Sequence, residues 1–230
     1  MKKIIKSAWA VLLAFTATVA VQAAEPVKIT SPNNKISVDL KTGKGEFGWT
    51  VSKDGQTVYS MEDVWLSING KTLGGDAAVK NVKTKTVNET FKPVVPLKFS
   101  TIENNYTEAT VNFGAYTVEL RVMDNAVAYR FVTKMKGEVI VDNESFTMIP
   151  ESGYTTHFQP CSKPDFNTSF EERYQHMETE KWVNEWANNR KQATVPMLLS
   201  GANDTQLLIG ESDVDDYPRV FLRGNKKGIT

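Results

Sequence analysis

The carboxylates of one short segment are the strongest candidates for chemistry in this chain of 230 residues. Residues 166–177, FNTSFEERYQHM, place Glu171 and Glu172 side by side, with Arg173 and His176 close behind. The flanking sequence alternates like β-sheet and this segment does not, so it fits either a site facing a metal ion or a sugar, or a solvated turn. Adjacent residues of an extended chain point to opposite faces, so the two glutamates cannot together act as the acid and base of a glycosidase. Taken alone, such a pair is more typical of an exposed turn.

The other reactive residue types are sparse. The chain has two histidines, His157 and His176, and one cysteine, Cys161, and it has no G-x-S-x-G elbow, phosphate loop, dinucleotide fingerprint or zinc-binding spacing. A single thiol in an exported chain cannot form an intramolecular disulfide, so we expect Cys161 to be a small buried hydrophobe. What is left is carboxylate and carbonyl oxygen, which is the ligand set of calcium.

Two further groups of acidic residues are candidate calcium ligands. One combines Glu144 with Asp142, and the other begins at Glu211, which closes the run LLIGE and precedes a D-x-D-D run at residues 213–216. A calcium ion takes six to eight oxygens, so no single short segment here completes a site. The acidic run also lacks the EF-hand loop pattern and is typical of a solvated turn.

Residues 1–23 are predicted to be a secretory signal peptide. Three lysines precede an apolar run from Ala8 to Val21, and small residues follow at the cleavage point. That run has about 14 residues, short of the ~20 that a spanning helix needs, so no stable membrane anchor is expected. Its removal leaves 24 basic side chains against 27 acidic ones, and this balance argues against a nucleic acid partner. We therefore expect a periplasmic or secreted protein.

The mature part, residues 24–230, has the pattern of short strands separated by turns. Alternation of apolar and polar residues recurs from Val27 to Phe158. Asp54-Gly55 and Asn69-Gly70 between alternating runs predict β-hairpins, and Asp124-Asn125 predicts a further turn. Because no helices are interleaved with these strands, the sequence predicts an all-β antiparallel sandwich or barrel.

One segment favours a short helix. Residues 177–192, METEKWVNEWANNRKQ, contain no glycine or proline and place Trp182 and Trp186 one helical turn apart. Trp182, Val183 and Trp186 would then bury one face of the helix. The alternative is a surface excursion whose tryptophans stack on sugar rings.

Several segments share a pattern with one known family. They are the opening ITSPNNKISVDL, the hairpin FGWTVSKDGQTVY, the strand pair LRVMDNAVAYRF, the motif SFEERY at 169–174, and LLIGESDVDDYP. On these segments the mature chain resembles the N-terminal domain of glycoside hydrolase family 97, the exported α-glucosidases and α-galactosidases typical of Bacteroidetes. It departs from the family pattern at Phe91, where tryptophan is usual, at Pro96-Leu97 and at Asn125-Ala126.

The resemblance implies an antiparallel β-super-sandwich like the galactose mutarotase domains, packed against a catalytic (β/α)8 barrel. In the family, the glutamate of the S-F-E-x-x-Y motif donates a ligand to a calcium ion beside the substrate, and residue by residue that glutamate is Glu171. The implied cofactor is Ca2+ in the complete enzyme, where it acts as a Lewis acid and template. The implied partner is an α-linked oligosaccharide bound through the barrel. Glu211 matches a recurrent family glutamate without an assigned role.

Two functional hypotheses follow from the sequence. The leading one is the N-terminal domain, or a fragment of it that ends before the barrel, of an exported calcium-dependent exo-acting α-glycosidase. None of the family's catalytic residues falls in this chain, so we expect it to be inactive alone. The alternative is a stand-alone secreted carbohydrate-binding β-sandwich without catalysis. The sequence leaves open whether the sugar is gluco- or galacto-configured and whether the mechanism inverts or retains.

Overall fold

The structure, a computed structural model, describes residues 27–43, 47–75, 78–161, 172–188, 191–201, 204–215 and 217–230. Within these ranges there is one helix, α1, at Thr179–Glu185, and the remaining elements are strands. The strands are β1 Val27–Thr30, β2 Ile36–Lys41, β3 Gly48–Lys53, β4 Gln56–Ile68, β5 Lys71–Gly74, β6 Asn81–Phe91, β7 Ile102–Asn112, β8 Tyr116–Met123, β9 Val127–Thr133, β10 Val141–Pro150, β11 Thr155–Phe158, β12 Pro160–Cys161, β13 Gln175–Glu178, β14 Gln192–Thr194, β15 Met197–Ser200, β16 Gln206–Ile209 and β17 Phe221–Leu222.

These strands form four antiparallel sheets. A six-stranded sheet has the order β1-β2-β3-β4-β10, with β5 paired to β4, and a four-stranded sheet has the order β6-β7-β8-β9. Two smaller sheets follow, β13-β11-β15-β16 and β12-β14-β17. The prediction of an all-β antiparallel sandwich is confirmed. No helix in the described part of the chain is long and apolar enough to cross a membrane.

The hairpin turns lie where the sequence places them. Asp54-Gly55 joins β3 to β4 and Asn69-Gly70 joins β4 to β5, and all four residues have positive φ, which suits the tight turns of two-residue hairpins. Between them, β4 is one continuous strand of 13 residues. Its register against β10 shifts next to Asp63, which has φ 51°. A bulge of this kind bends a long strand and raises its local twist.

The two large sheets face each other across a shared apolar core. Val118, Leu120 and Val122 alternate along β8 and are fully buried, while the residues between them are half-buried. From the opposite sheet, Trp49 meets the ring of Tyr129 edge-on at 5.2 Å between centroids. Alternate residues of a strand point to one face, so this pattern fixes which face of each sheet is inside.

The prediction of one short helix near residues 177–192 is confirmed, and its buried face is the predicted one. The helix occupies only Thr179–Glu185 of that segment, because Met177 and Glu178 belong to β13, which pairs with β11, and Gln192 begins β14. Trp182, Val183 and Trp186 are buried as expected. Their burial identifies α1 as a core element. Cys161 is also buried, as predicted.

The last residues of the chain return to the first sheet. Ile229 exchanges two backbone hydrogen bonds of 2.8 Å with Met148 of β10, and its side chain is fully buried. Thr230 and Arg223 exchange a second pair of 2.8 Å bonds. Residues 223–230 therefore fold back on themselves, and Ile229 pairs with the edge strand β10 at one bridge.

Candidate functional site

Glu171, the predicted calcium ligand, lies outside the described residues, in the gap at 162–171. The description resumes at Glu172, whose side chain is exposed and whose backbone carbonyl accepts a 2.9 Å hydrogen bond from Nε2 of Gln159. Three residues later the chain enters β13. The segment that carries the candidate ligand is thus tied to the sheet directly after Glu171.

The strand that leaves this segment brings together the two histidines of the chain. His176 of β13 lies directly opposite His157 of β11, and their Nδ1 atoms are 2.6 Å apart. The ring centroids are 4.8 Å apart and the rings are inclined by 69°. Sequence reasoning considered these histidines only for catalytic triads and zinc motifs. It missed the pair because the pairing depends on the register of two strands that are distant in sequence.

The two tryptophans of α1 do not form a sugar-binding platform. Trp182 and Trp186 stack on each other with centroids 5.7 Å apart, and Phe158 of β11 meets both rings edge-on. Trp182 is 0% exposed and Trp186 is 7% exposed. An indole that stacks on a pyranose must present a face to solvent, so the alternative of a tryptophan-lined sugar site at α1 is wrong.

The acidic residues Glu144 and Asp142 make hydrogen bonds that stabilise the fold. Tyr217 donates a 2.7 Å hydrogen bond to Glu144 Oε2, and Tyr129 donates a longer one of 3.4 Å to Oε1. Burial, reinforced by the nearby carboxylate, raises the pKa of both phenols well above the usual value, so they stay protonated and act as donors. Asp142 accepts hydrogen bonds from the backbone N–H of Gly70 and the hydroxyl of Ser67, and so braces the second hairpin turn.

Glu211 closes a surface loop. Its Oε2 accepts a 3.0 Å hydrogen bond from the backbone N–H of Val220, and Oε1 lies 3.7 Å from Nε of Arg219. Asp213 and Asp215, which follow it, are exposed, as expected for a solvated turn, and Asp216 lies outside the described residues. The carboxylate of Glu211 thus joins the two ends of the loop 211–220.

The described ranges bring no three histidine, cysteine, aspartate or glutamate side chains together in a group that could hold a metal ion. A calcium ion needs six to eight oxygens, and one carboxylate provides one or two of them. The role of Glu171, which lies outside these ranges, stays a prediction.

The fold and these clusters define a β-sandwich domain in which the described acidic clusters hold turns, strands and loops together. The sequence of the chain matches the profile of the glycosyl-hydrolase 97 N-terminal family over residues 29–230, and the chain belongs to that family. No curated protein matches it by sequence. The departures from the family pattern at Phe91 and Leu97 fall at or near the end of the β6–β7 hairpin, where both side chains are exposed.

Solved structures have the same fold at low sequence identity. A glycoside hydrolase family 97 enzyme from Pseudoalteromonas sp. strain K8, in complex with acarbose, is 15% identical and superimposes with a TM-score of 0.71. A variant of that enzyme in complex with panose gives 0.70 at 15% identity. A beta-arabinopyranosidase gives 0.74 at 20% identity. Each match covers 88% of this chain and 31% or 34% of the neighbour, so the chain spans about a third of the length of these enzymes.

Proposed function

We propose that this chain acts as the N-terminal domain of an exported, calcium-dependent, exo-acting α-glycosidase. The observation that carries this proposal is the family match over residues 29–230. The structural neighbours are enzymes about three times as long, and in the proposed enzyme their additional length corresponds to the catalytic barrel. The α-linked oligosaccharide would bind through that barrel.

The domain itself contributes by supporting and positioning the catalytic barrel. Its core runs continuously from the two large sheets to α1, which gives the barrel a rigid partner. Support for a role at the substrate site comes from the motif SFEERY at 169–174, which matches the family motif that supplies a calcium ligand. In this proposal Glu171 donates one carboxylate and the barrel donates the remaining oxygens. When bound, the ion would polarise oxygens of the substrate and act as a template at the scissile region.

The test compares two neighbouring glutamates in a polypeptide that joins this domain to a family 97 barrel. Glu171→Gln removes a charged ligand and keeps the size of the side chain, so we expect the calcium concentration for half-maximal activity to rise about tenfold or more. Glu172→Gln is the matched control, because Glu172 is an exposed neighbour, and it should leave the calcium dependence unchanged. Both variants should unfold at the temperature of the parent. Equal calcium dependence in the two variants would refute the role of Glu171.

The stand-alone carbohydrate-binding sandwich makes a different prediction for the chain itself. If it were right, residues 24–230 alone would bind a linear α-linked oligosaccharide in isothermal titration calorimetry. The burial of Trp182 and Trp186 removes the platform that this alternative relied on. We therefore expect no heat of binding from the isolated domain and binding only when the barrel is present.

The sugar and the export route need separate measurements. Because the neighbours include a beta-arabinopyranosidase, a panel of p-nitrophenyl α-glucoside, α-galactoside and β-arabinopyranoside would identify the substrate of the joined enzyme. Export by the signal peptide at residues 1–23 predicts a periplasmic or secreted protein that begins at Ala24. Mass spectrometry of the protein from the periplasmic fraction would measure that terminus.

A further inference from the structure

The two histidines form a cluster that the glycosidase proposal does not use. They are the only histidines of the chain, and they face each other across the β11–β13 pair with a distance of 2.6 Å between their Nδ1 atoms. In the neutral pair the Nδ1–H of one ring donates a hydrogen bond to the lone pair of the other ring's Nδ1, so a single proton lies between the two nitrogens. A divalent cation can replace that proton and bind both nitrogens.

The face around the pair favours a cation. The side chains that share this face of the sheet are Thr155, Leu198, Ser200, Gln206, Leu208 and Glu178, and none of them is basic. Glu178, two residues from His176, is the N-cap residue of α1; it is exposed and its side chain makes no capping hydrogen bond. It adds a carboxylate on the same side of β13, roughly 7 Å along the strand. His176 is exposed and His157 is half-buried, so solvent reaches the pair from the His176 side.

The spacing of the two nitrogens indicates the kind of metal. Two nitrogens bound at about 2.0 Å lie about 2.8 Å apart when they are cis in a square plane, and about 3.3 Å apart in a tetrahedron. The observed 2.6 Å is the length of an N–H···N hydrogen bond, so the nitrogens must separate by about 0.2 Å to bind a metal in a square plane and by about 0.7 Å in a tetrahedron. Square-planar nitrogen and oxygen coordination is characteristic of Cu2+ and Ni2+, and Cu2+ binds such ligands most tightly of the first-row divalent ions.

We propose that His157 and His176 form a bidentate Cu2+ site that clamps the edge strand β13 to β11. Both rings bind through Nδ1, so the proton of the donor ring moves to its Nε2, and water completes the coordination sphere. Nε2 of His157 is buried without a hydrogen-bond partner among the described residues. Histidine ligands in tight sites donate that N–H to a carboxylate or a carbonyl, so we expect this site to bind about 10–100-fold more weakly than a site with such a partner.

The test titrates the mature chain with CuCl2 at neutral pH and records electron paramagnetic resonance spectra. We expect one bound Cu2+ per chain with hyperfine coupling to two nitrogens. His176→Gln and His157→Gln should each remove one nitrogen from the spectrum and weaken binding about tenfold or more, since the chelate is lost. Gln175→Ala, exposed and on the opposite face of β13, is the matched control and should bind like the parent.

The double variant His157→Gln/His176→Gln accounts for copper held by the chain terminus or by carboxylates. Copper binding that survives unchanged in the double variant, or a parent spectrum without two nitrogens, would overturn the proposal. His157 is half-buried and its replacement can impair folding, so His176→Gln decides the outcome alone if circular dichroism shows that the His157 variant is unfolded. Tighter binding of Zn2+ than of Cu2+ by the parent would also contradict the geometric argument.

Discussion

The phenol of Tyr217 donates a 2.7 Å hydrogen bond to the carboxylate of Glu144, although 73 residues separate them in the sequence. This bond ties the segment before β17 to β10 of the six-stranded sheet. Tyr217→Phe removes this donor and keeps the longer 3.4 Å hydrogen bond from Tyr129 to Glu144. Because hydrogen bonds to charged groups contribute about 1.5–3 kcal/mol, we expect the free energy of unfolding to fall by roughly that amount.

Urea denaturation followed by tryptophan fluorescence would measure the loss. Tyr174→Phe is the control, since Tyr174 is exposed, and it should be within about 0.5 kcal/mol of the parent. If Tyr217→Phe is as stable as Tyr174→Phe, the bond between Tyr217 and Glu144 contributes nothing to the fold.

The ion pairs of Glu108 with Lys85 and Arg121, on the outer face of the four-stranded sheet, make the free energy of unfolding depend on pH. The hydrogen bond from Lys85, at 2.7 Å, is the main cause that holds the pKa of the buried Glu108 below its usual value, and Arg121 adds to it. A folded pKa below the unfolded one gives stability that is present above the unfolded pKa and is lost as the pH falls through the folded pKa. We therefore expect acidification from roughly pH 6 to pH 3 to lower the melting temperature of the parent more than that of Lys85→Met.

The control for this prediction is Lys83→Met. Lys83 lies on the same face of β6 as Lys85, opposite Thr110 and not Glu108, so its loss should leave the acid sensitivity of the parent intact. Identical acid profiles for Lys85→Met and the parent would show that Glu108 does not act through Lys85.

Gly224 is required by a close approach to the helix. A Cβ added there would overlap the carbonyl group of Val183, and the backbone N–H of Gly224 already donates to the carbonyl of Trp186. We expect Gly224→Ala to destabilise the fold by about 1–3 kcal/mol, because the added Cβ meets backbone atoms of the helix, which cannot rotate away as a side chain can. Gly210→Ala provides the comparison, since a Cβ there meets nothing within 4 Å and the backbone has an ordinary φ. Equal melting temperatures for the two alanine variants would contradict this prediction.

The loop 211–220 depends on Glu211. Glu211→Ala removes the acceptor of the Val220 N–H, a bond that contributes about 0.5–1.5 kcal/mol when neutral and more when the acceptor is charged. Hydrogen exchange measured by mass spectrometry should be faster across this loop in Glu211→Ala. It should be unchanged in Asp215→Ala, whose side chain is exposed. Unaltered exchange in Glu211→Ala would mean that the loop is held by other contacts.

Local features of the fold could be predicted from the sequence, because short-range chemistry determines them. The positive φ of Asn69 and Gly70 and the alternation along β8 follow from residue type and spacing. The helix bounds could not be predicted, because strand pairing with β11 takes Met177 and Glu178 out of the helical pattern. Tertiary contacts outweigh helix propensity at such positions.

The candidate sites also divide into features set by local sequence, which could be predicted, and features set by tertiary contacts, which could not. Cys161 was predicted to be buried and is; of the two alternatives for the tryptophans of α1, the structure confirms the buried helix face. The contact between His157 and His176 depends on sheet register, which no local pattern encodes. Glu171 stays a prediction based on family resemblance.

The return of Ile229 to Met148 has a consequence for synthesis of the protein on the ribosome. Met148 is translated long before Ile229, yet the two exchange backbone hydrogen bonds and Ile229 fills the core beneath β10. Until Ile229 has been added, any part of the chain that has already folded therefore carries an unfinished sheet edge at Met148. Exposed sheet edges invite pairing with other chains, so chaperones that bind nascent polypeptides should be most needed in that interval.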